Sequence, residues 1–222
     1  MTKFKICGLR EFDHALVAAN AGADFLGFVF VPGVRRQIDQ DRARDIIQRL
    51  RETLGAKTPR LVGLFADQPI YDANHILRYC GLDMAQLCGS ESPDYWARVG
   101  RPIIRQLKVK DTGPKQEVAE SILKQVEQVV SRNHICMLDR YEEGAKGGTG
   151  RTFDWSIAAA VAGRYPIILA GGLKPENVAQ AIATVRPWGV DVSSGVETNG
   201  VKDIAKIQAF ASAVKLADVG QP

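Results

Sequence analysis

An α/β protein, a (βα)8 barrel in which eight parallel strands are wrapped by outer helices, is predicted by three observations. Short apolar runs and amphipathic helical runs alternate along the whole chain, at intervals of roughly 25 residues. Several of the apolar runs are uninterrupted, as strands become when both faces of a parallel sheet are covered. Near the C-terminus, two strand-like runs end in bare backbone: Ile167-Ile168-Leu169-Ala170 enters Gly171-Gly172-Leu173, and Gly189-Val190-Asp191-Val192 enters Ser193-Ser194-Gly195-Val196. Bare N–H groups at a strand end, followed by a helix N-terminus, bind phosphate well. Two such loops on consecutive units are what the phosphate site of a (βα)8 barrel requires after its seventh and eighth strands. The rival architecture, an open doubly wound sheet, would usually show GxGxxG after its first strand, and that motif is missing there.

The predicted strands are 3–7, 24–30, 61–65, 83–87, 103–107, 135–138, 167–170 and 190–193. Between them, Ile70, Ala73, Leu77 and Cys80 follow the spacing of one helix face, as do Ile204, Ile207, Ala211 and Val214. Asp154 reads as the N-cap of a helix through Trp155 and Ala162, with Trp155 packing that helix on the barrel wall. Pro175 suits the first turn of a helix after Lys174. Gly22 and Gly81 read as helix stops before the second and fourth strands. No linker-like segment, repeat or low-complexity tract interrupts the pattern, so one domain spanning 1–222 is expected.

Bulk properties narrow the function. The formal charge of +4 comes from scattered basic residues without aromatic interleaving, which argues against a nucleic-acid partner and suits a small anionic substrate. No stretch approaches the roughly 18 apolar residues of a membrane span. Met1-Thr2-Lys3-Phe4-Lys5 runs directly into a strand pattern, and the four cysteines show no CxxC pair, so a reduced, cytoplasmic protein is expected. His14, His75 and His134 lack metal-ligand spacing.

In such a barrel the chemistry sits at the C-terminal ends of the strands. Cys7, at the end of the first strand, reads either as a base or nucleophile or as a small buried hydrophobe, the expected fate of Cys80 and Cys136. Gly8 beside it allows close backbone approach. Asp139 ends an apolar strand, where a carboxylate must be hydrogen-bonded or functional. In a partly apolar cleft its pKa would rise and suit it to general-acid work; the alternative is a loop cap or an ion pair with Arg140. Arg36 offers a planar guanidinium for a carboxylate, with Arg35 as a competitor and a solvated surface side chain as the alternative. Gly147-Gly148-Thr149-Gly150 reads as a close-approach loop near the strand 6 carboxylate and lacks the GK[ST] ending of a nucleotide loop.

Taken in order, Lys5-Ile6-Cys7-Gly8-Leu9, Ala21-Gly22-Ala23-Asp24, Gln86-Leu87 with Gly89, Leu138-Asp139, Gly147-Gly148-Thr149-Gly150 with Phe153-Asp154-Trp155, Leu169-Ala170-Gly171-Gly172-Leu173 and the run from Gly189 to Glu197 resemble the phosphoribosylanthranilate isomerase family of tryptophan biosynthesis. The resemblance covers essentially the whole chain. It implies an Amadori rearrangement with Asp139 as general acid and Cys7 as general base. Arg36 would hold the anthranilate carboxylate, and Gly148, Gly171, Gly172, Ser194 and Gly195 would contact the phosphorylated substrate. No metal or organic cofactor is implied, because every step is a proton transfer. The implied tuning is opposed: the Cys7 thiol shifted down, the Asp139 carboxyl up. Association with other enzymes of the pathway is left open. The chain departs from the family at Cys88, where histidine is usual, at Ser90, where an acidic residue is usual, and in the loop Pro32-Gly33-Val34-Arg35-Arg36-Gln37. Two other readings share the phosphate loops. One is a related sugar-phosphate aminoaldose isomerase, which would carry aspartate in place of Cys7. The other is a non-catalytic phosphate-ligand-binding barrel, which would retain affinity without turnover.

Overall fold

The computed structural model describes residues 1–110, 112–140 and 153–219. Eight parallel strands follow one another in chain order around a closed barrel: β1 (Lys3–Cys7), β2 (Phe25–Val29), β3 (Arg60–Phe65), β4 (Met84–Leu87), β5 (Ile103–Val109), β6 (Ile135–Arg140), β7 (Ile167–Leu169) and β8 (Gly189–Val192). All eight predicted strands occur. The largest differences are that β5 runs on to Val109 and β6 to Arg140, through Lys108 and Asp139-Arg140, whose charges masked the continuing strand in the sequence. The helices are α1 (Phe12–Asn20), α2 (Gln40–Leu54), α3 (Ile70–Tyr79), α4 (Pro93–Trp96), α5 (Lys115–Val130), α6 (Trp155–Ala162), α7 (Val178–Val185) and α8 (Ile204–Val219). A two-stranded hairpin, β9 (Glu197–Thr198) with β10 (Val201–Lys202), sits between β8 and α8.

Internal contacts divide the chain into an N-terminal unit, Ile6–Ile104, and a C-terminal unit made of Met1–Lys5 and the chain from Arg105 onward. In the N-terminal unit β2 pairs with β3 from Phe25↔Arg60 to Val29↔Leu64, and β3 with β4 from Val62↔Met84 to Phe65↔Leu87. Leu26, Phe28 and Phe65 are buried there with Ala15 and Ala18 of α1, Ile46, Ile47 and Leu50 of α2, and Ala73 and Leu77 of α3. The predicted stops hold in detail. Gly22 (φ 95°) donates its N–H to Ala19 O at 2.9 Å while Ala23 N reaches Ala18 O at 3.1 Å, and Gly81 (φ 70°) and Leu82 repeat the pattern on Arg78 and Leu77. These are Schellman closures, which need a left-handed residue and therefore favour glycine.

In the C-terminal unit β6 pairs with β7 from Cys136↔Ile167 to Leu138↔Leu169, and β7 with β8 through Ile168↔Gly189 and Leu169↔Val190. Val126 and Val129 of α5, Ala158 and Val161 of α6, Ile182 of α7 and Ile207 and Phe210 of α8 are buried in it. Phe4 meets Phe210 edge-on at 6.4 Å, so Phe4 faces the helix layer and Lys5 the opposite side of the strand. Two helix expectations need correction. Ile204 is 41% exposed, because it is the first residue of α8 and lies beyond the face that the helix buries. Pro175 lies in a turn ahead of α7, which starts at Val178 with Asn177 as its cap.

Asp154 does cap α6, accepting from Ser156 N at 2.9 Å, and it also pairs with Lys115 at 2.5 Å. The Lys115 hydrogen bond, with those from Ser156, holds its carboxyl down to about 2. Asp154→Ala is expected to lower stability by about 1 kcal/mol. A carboxyl whose folded pKa is depressed stabilises above its unfolded pKa and loses that contribution as pH falls through the folded one. The gap in Tm between wild type and variant should therefore close between about pH 4 and pH 2, as thermal melts across that range would show.

Candidate active site

Asp139 lies one residue from the end of β6, half-buried. Both carboxyl oxygens are held: Oδ1 accepts from Arg140 N at 2.8 Å, and Oδ2 accepts from Gln106 Nε2 on β5 at 2.7 Å. Burial pushes its pKa up to about 6, and the negative charge of Asp191 adds to the rise. The Arg140 N–H, Lys108 and Lys5 pull the other way. Gly171, two residues beyond β7, lies against this carboxyl. A Cβ there would stand 2.9 Å from both Asp139 Oδ1 and Arg140 N, and its φ of 88° also favours glycine. The sequence placed Asp139 at a strand end; it gave no sign of Gln106, a residue 9% exposed whose amide donates to that carboxylate.

The two glycine-ended loops are built by backbone contact. A Cβ on Gly195 would lie 1.9 Å from Leu173 O, so the segment after β8 presses directly on the loop after β7. Asn177 shapes the first loop, donating Nδ2 to Gly172 O at 3.0 Å and accepting from Lys174 N at 2.8 Å. Gly172 itself has φ 67°. In the second loop Ser194 and Gly195 belong to a single 3₁₀ turn, Ser194–Val196. Lys202 on β10 secures that loop, with Nζ 2.7 Å from Ser193 O and 2.9 Å from Glu197 Oε1; the Lys202 and Glu197 side chains are 3% and 5% exposed. An enclosed ion pair of this kind fixes geometry more surely than it adds stability. The hairpin carrying Lys202 turns at Asn199-Gly200, with φ of 51° and 81°. The sequence reading missed this hairpin, and that dipeptide is the signal that would have revealed it. A second enclosed ion pair joins Lys5 Nζ to Asp191 Oδ1 at 2.8 Å.

In the N-terminal unit Cys7 ends β1 and is buried. Gly8 (φ 78°) and Leu9 both donate their N–H to Gly27 O at 2.9 Å, turning the chain out of the strand directly after the thiol. The loop after β2 is more ordered than its composition suggested. Gly33 N donates to Gln37 Oε1 at 2.9 Å, Gln37 N to Val34 O at 2.9 Å, and Arg10 reaches Arg35 O at 3.0 Å. Arg36 is half-buried and Arg35 exposed. Cys88 is half-buried and its Sγ accepts from Gln86 Nε2 at 3.4 Å, so both project from one face of β4 and its extension. The loops after β3 and β4 are tied by Asp67, which accepts from Ser90 N at 2.6 Å, and by Glu91, which accepts from Asp67 N at 2.9 Å. Cys80 and Cys136 are core, as expected, and burial pushes both thiols up to about 12. Gly148 and its neighbours lie outside the described residues. Among the described residues no group of three or more His, Cys, Asp or Glu could hold a metal ion, and no helix is long and apolar enough to cross a membrane.

By fold, the chain is a (βα)8-barrel enzyme. It belongs to the N-(5′-phosphoribosyl)anthranilate isomerase family, whose model matches residues 4–213. A relative of that name from Dehalococcoides mccartyi is 40% identical over 221 residues, covering 98% of each chain. The crystal structure of phosphoribosyl anthranilate isomerase from Thermotoga maritima superposes with a TM-score of 0.82 at 32% identity, over 97% of this chain and 99% of that one. A structure of the isomerase in complex with reduced 1-(o-carboxyphenylamino)-1-deoxyribulose 5-phosphate is likewise 32% identical over 97% and 99%, with a TM-score of 0.79.

Proposed function

We propose that this chain, as a single domain over 1–222, rearranges N-(5-phosphoribosyl)anthranilate to 1-(2-carboxyphenylamino)-1-deoxyribulose 5-phosphate, a step of tryptophan biosynthesis, without metal or organic cofactor. The observation that carries the reading furthest is the setting of Asp139: a strand-end carboxyl, anchored through both oxygens, whose proton is retained to about pH 6. Such a group suits a general acid working near neutrality. Asp139 gives its proton to the furanose ring oxygen as the C1′–O bond breaks, and the anilino nitrogen lone pair closes the C1′=N bond of a Schiff base. The Cys7 thiolate then removes the C2′ proton, and the C2′–H electron pair forms the enolamine, which tautomerises to the ketone. Arg36 holds the anthranilate carboxylate. Gly171, Gly172, Ser194 and Gly195, with Gly148 from the segment outside the described residues, contact the ribose phosphate; the direct approach of the two glycine loops to each other supports that assignment. The same reading makes the chain a cytoplasmic enzyme with no nucleic-acid or membrane partner and leaves room for association with other enzymes of the pathway.

The test is the loss of substrate fluorescence when freshly made N-(5-phosphoribosyl)anthranilate meets the folded protein, with the product, an isomer of equal mass, separated by chromatography and identified by deuterium placed at C2′ on borodeuteride reduction. Folded protein that leaves the fluorescence unchanged would overturn the proposal. Arg36→Ala is expected to raise KM about 10- to 100-fold with kcat within a few-fold, since a charge-assisted hydrogen bond to a non-reacting carboxylate stabilises ground and transition states alike. Steady-state kinetics would check it, and an unchanged KM would remove Arg36 from the carboxylate site.

A further inference from the structure

We infer that Gln106 is a positioning residue for the reaction, the side chain that fixes the direction of the Asp139 carboxyl; this rests on Asp139 being the general acid proposed above. A carboxyl at a strand end turns freely about its Cβ–Cγ bond unless both oxygens are held. Here Oδ1 is held by the neighbouring Arg140 N–H and closed in by Gly171, whose Cβ-less backbone lies against it. That leaves Oδ2, and Gln106 Nε2 meets it at 2.7 Å from β5, the strand beside β6 in the barrel order. Gln106 is 9% exposed. An amide so enclosed is costly unless hydrogen-bonded, and here it spends a donor on the carboxyl. Misplacing a proton donor by an ångström costs about 10²-fold in rate, so a residue that holds direction without touching substrate can still govern turnover.

Gln106 also has an electrostatic signature that packing alone would not give. An N–H aimed at a carboxylate favours the ionised form, so removing it must raise the Asp139 pKa. Among the described residues, the charged groups that bear on Asp139 are Lys5 on β1, Lys108 on β5 and Asp191 on β8, and the substitutions below leave them unchanged.

The experiment compares wild type, Gln106→Met, which keeps the length and removes the donor, and Gln106→Glu, which replaces the donor by a second carboxyl. The readouts are the pH profile of kcat/KM and the carbon-13 NMR titration of labelled Asp139 in the substrate-free protein. Gln106→Met is expected to move the NMR midpoint and the alkaline limb of the profile up by about one pH unit. The pH-independent kcat should fall about tenfold while KM changes less than threefold. Gln106→Glu is expected to move the midpoint at least as far, because two carboxyls in one site share a proton. An unchanged midpoint in both variants, or a loss of rate equal at every pH, would overturn the inference. Absence of turnover in wild type would instead count against the proposed reaction, and the substrate-free NMR titration would still decide the role of Gln106.

Discussion

Asp139→Asn is expected to slow turnover by about 10²–10⁴-fold, and Cys7→Ala by a similar factor, the range that a positioned acid or base contributes. The two losses should differ in their pH dependence. A general acid works protonated, so with a pKa of about 6 for Asp139 the wild-type kcat/KM should fall as pH rises beyond it. Asp139→Asn should lack that alkaline limb, and Cys7→Ala the acidic one that reports formation of the thiolate. A bound phosphate dianion adds negative charge near the site, so the limb in kcat should lie at higher pH than the limb in kcat/KM. Profiles from pH 5 to 9 would check all three points; an Asp139→Asn enzyme within tenfold of wild type would remove Asp139 from the acid role.

The same substitution separates chemistry from folding. The folded pKa of Asp139 is raised, from the ordinary 3.8 to about 6, so between those values the native state binds more protons than the unfolded chain and stability falls as pH rises. Asparagine carries no charge into that site. At pH 7 the variant should melt at or a few degrees above wild type, and the advantage should vanish as pH falls below 3.8, where Asp139 becomes neutral in both states. An enzyme that is inactive yet no less stable would locate the damage in proton transfer.

The parts of this picture that were legible in the sequence are those that local pattern controls. Apolar runs gave the eight strands, Gly22 and Gly81 marked helix ends because only a left-handed residue closes them well, and Asp154 declared its cap by standing before an apolar helix. Strand-end position brought out Cys7 and Asp139. The interactions that had no local signature are those made between strands distant in sequence. Gln106 meets Asp139 across 33 positions and Lys5 meets Asp191 across 186, and nothing near either residue announces its partner. The supports of the loops were missed for a different reason. Asn177, Asp67 and Glu91 act on backbone groups, so they read as ordinary polar loop residues until the loops are folded. The extra length of β5 and β6 was hidden by Lys108 and Asp139, charges that a strand tolerates where it ends at a polar pocket.

Gly195→Ala is expected to separate the two glycine loops and weaken both phosphate binding and the fold. The added methyl would stand 1.9 Å from Leu173 O and 2.9 Å from Leu173 C and Lys174 Cα, all backbone atoms, so no rotamer change can relieve it. Neither loop yields easily. Asn177 bridges Gly172 O and Lys174 N on one side, and the enclosed Lys202 binds Ser193 O and Glu197 on the other. Overpacking of this kind costs about 1–3 kcal/mol, which for a chain of this size lowers Tm by roughly 3–10 °C. Because the loops carry the N–H groups proposed to hold the phosphate, KM for substrate and the inhibition constant of inorganic phosphate should both rise about tenfold or more. Gly81→Ala is the matched control. Its φ of 70° makes alanine strained, but no heavy atom beyond its own chain neighbours lies within 4 Å of the new Cβ, and its place is a helix stop in the N-terminal unit. It should lose about 1 kcal/mol of stability and leave phosphate inhibition unchanged. If Gly195→Ala behaved like Gly81→Ala, destabilised but inhibited by phosphate as wild type is, the contact between the loops would be architectural and the phosphate would have to be held elsewhere.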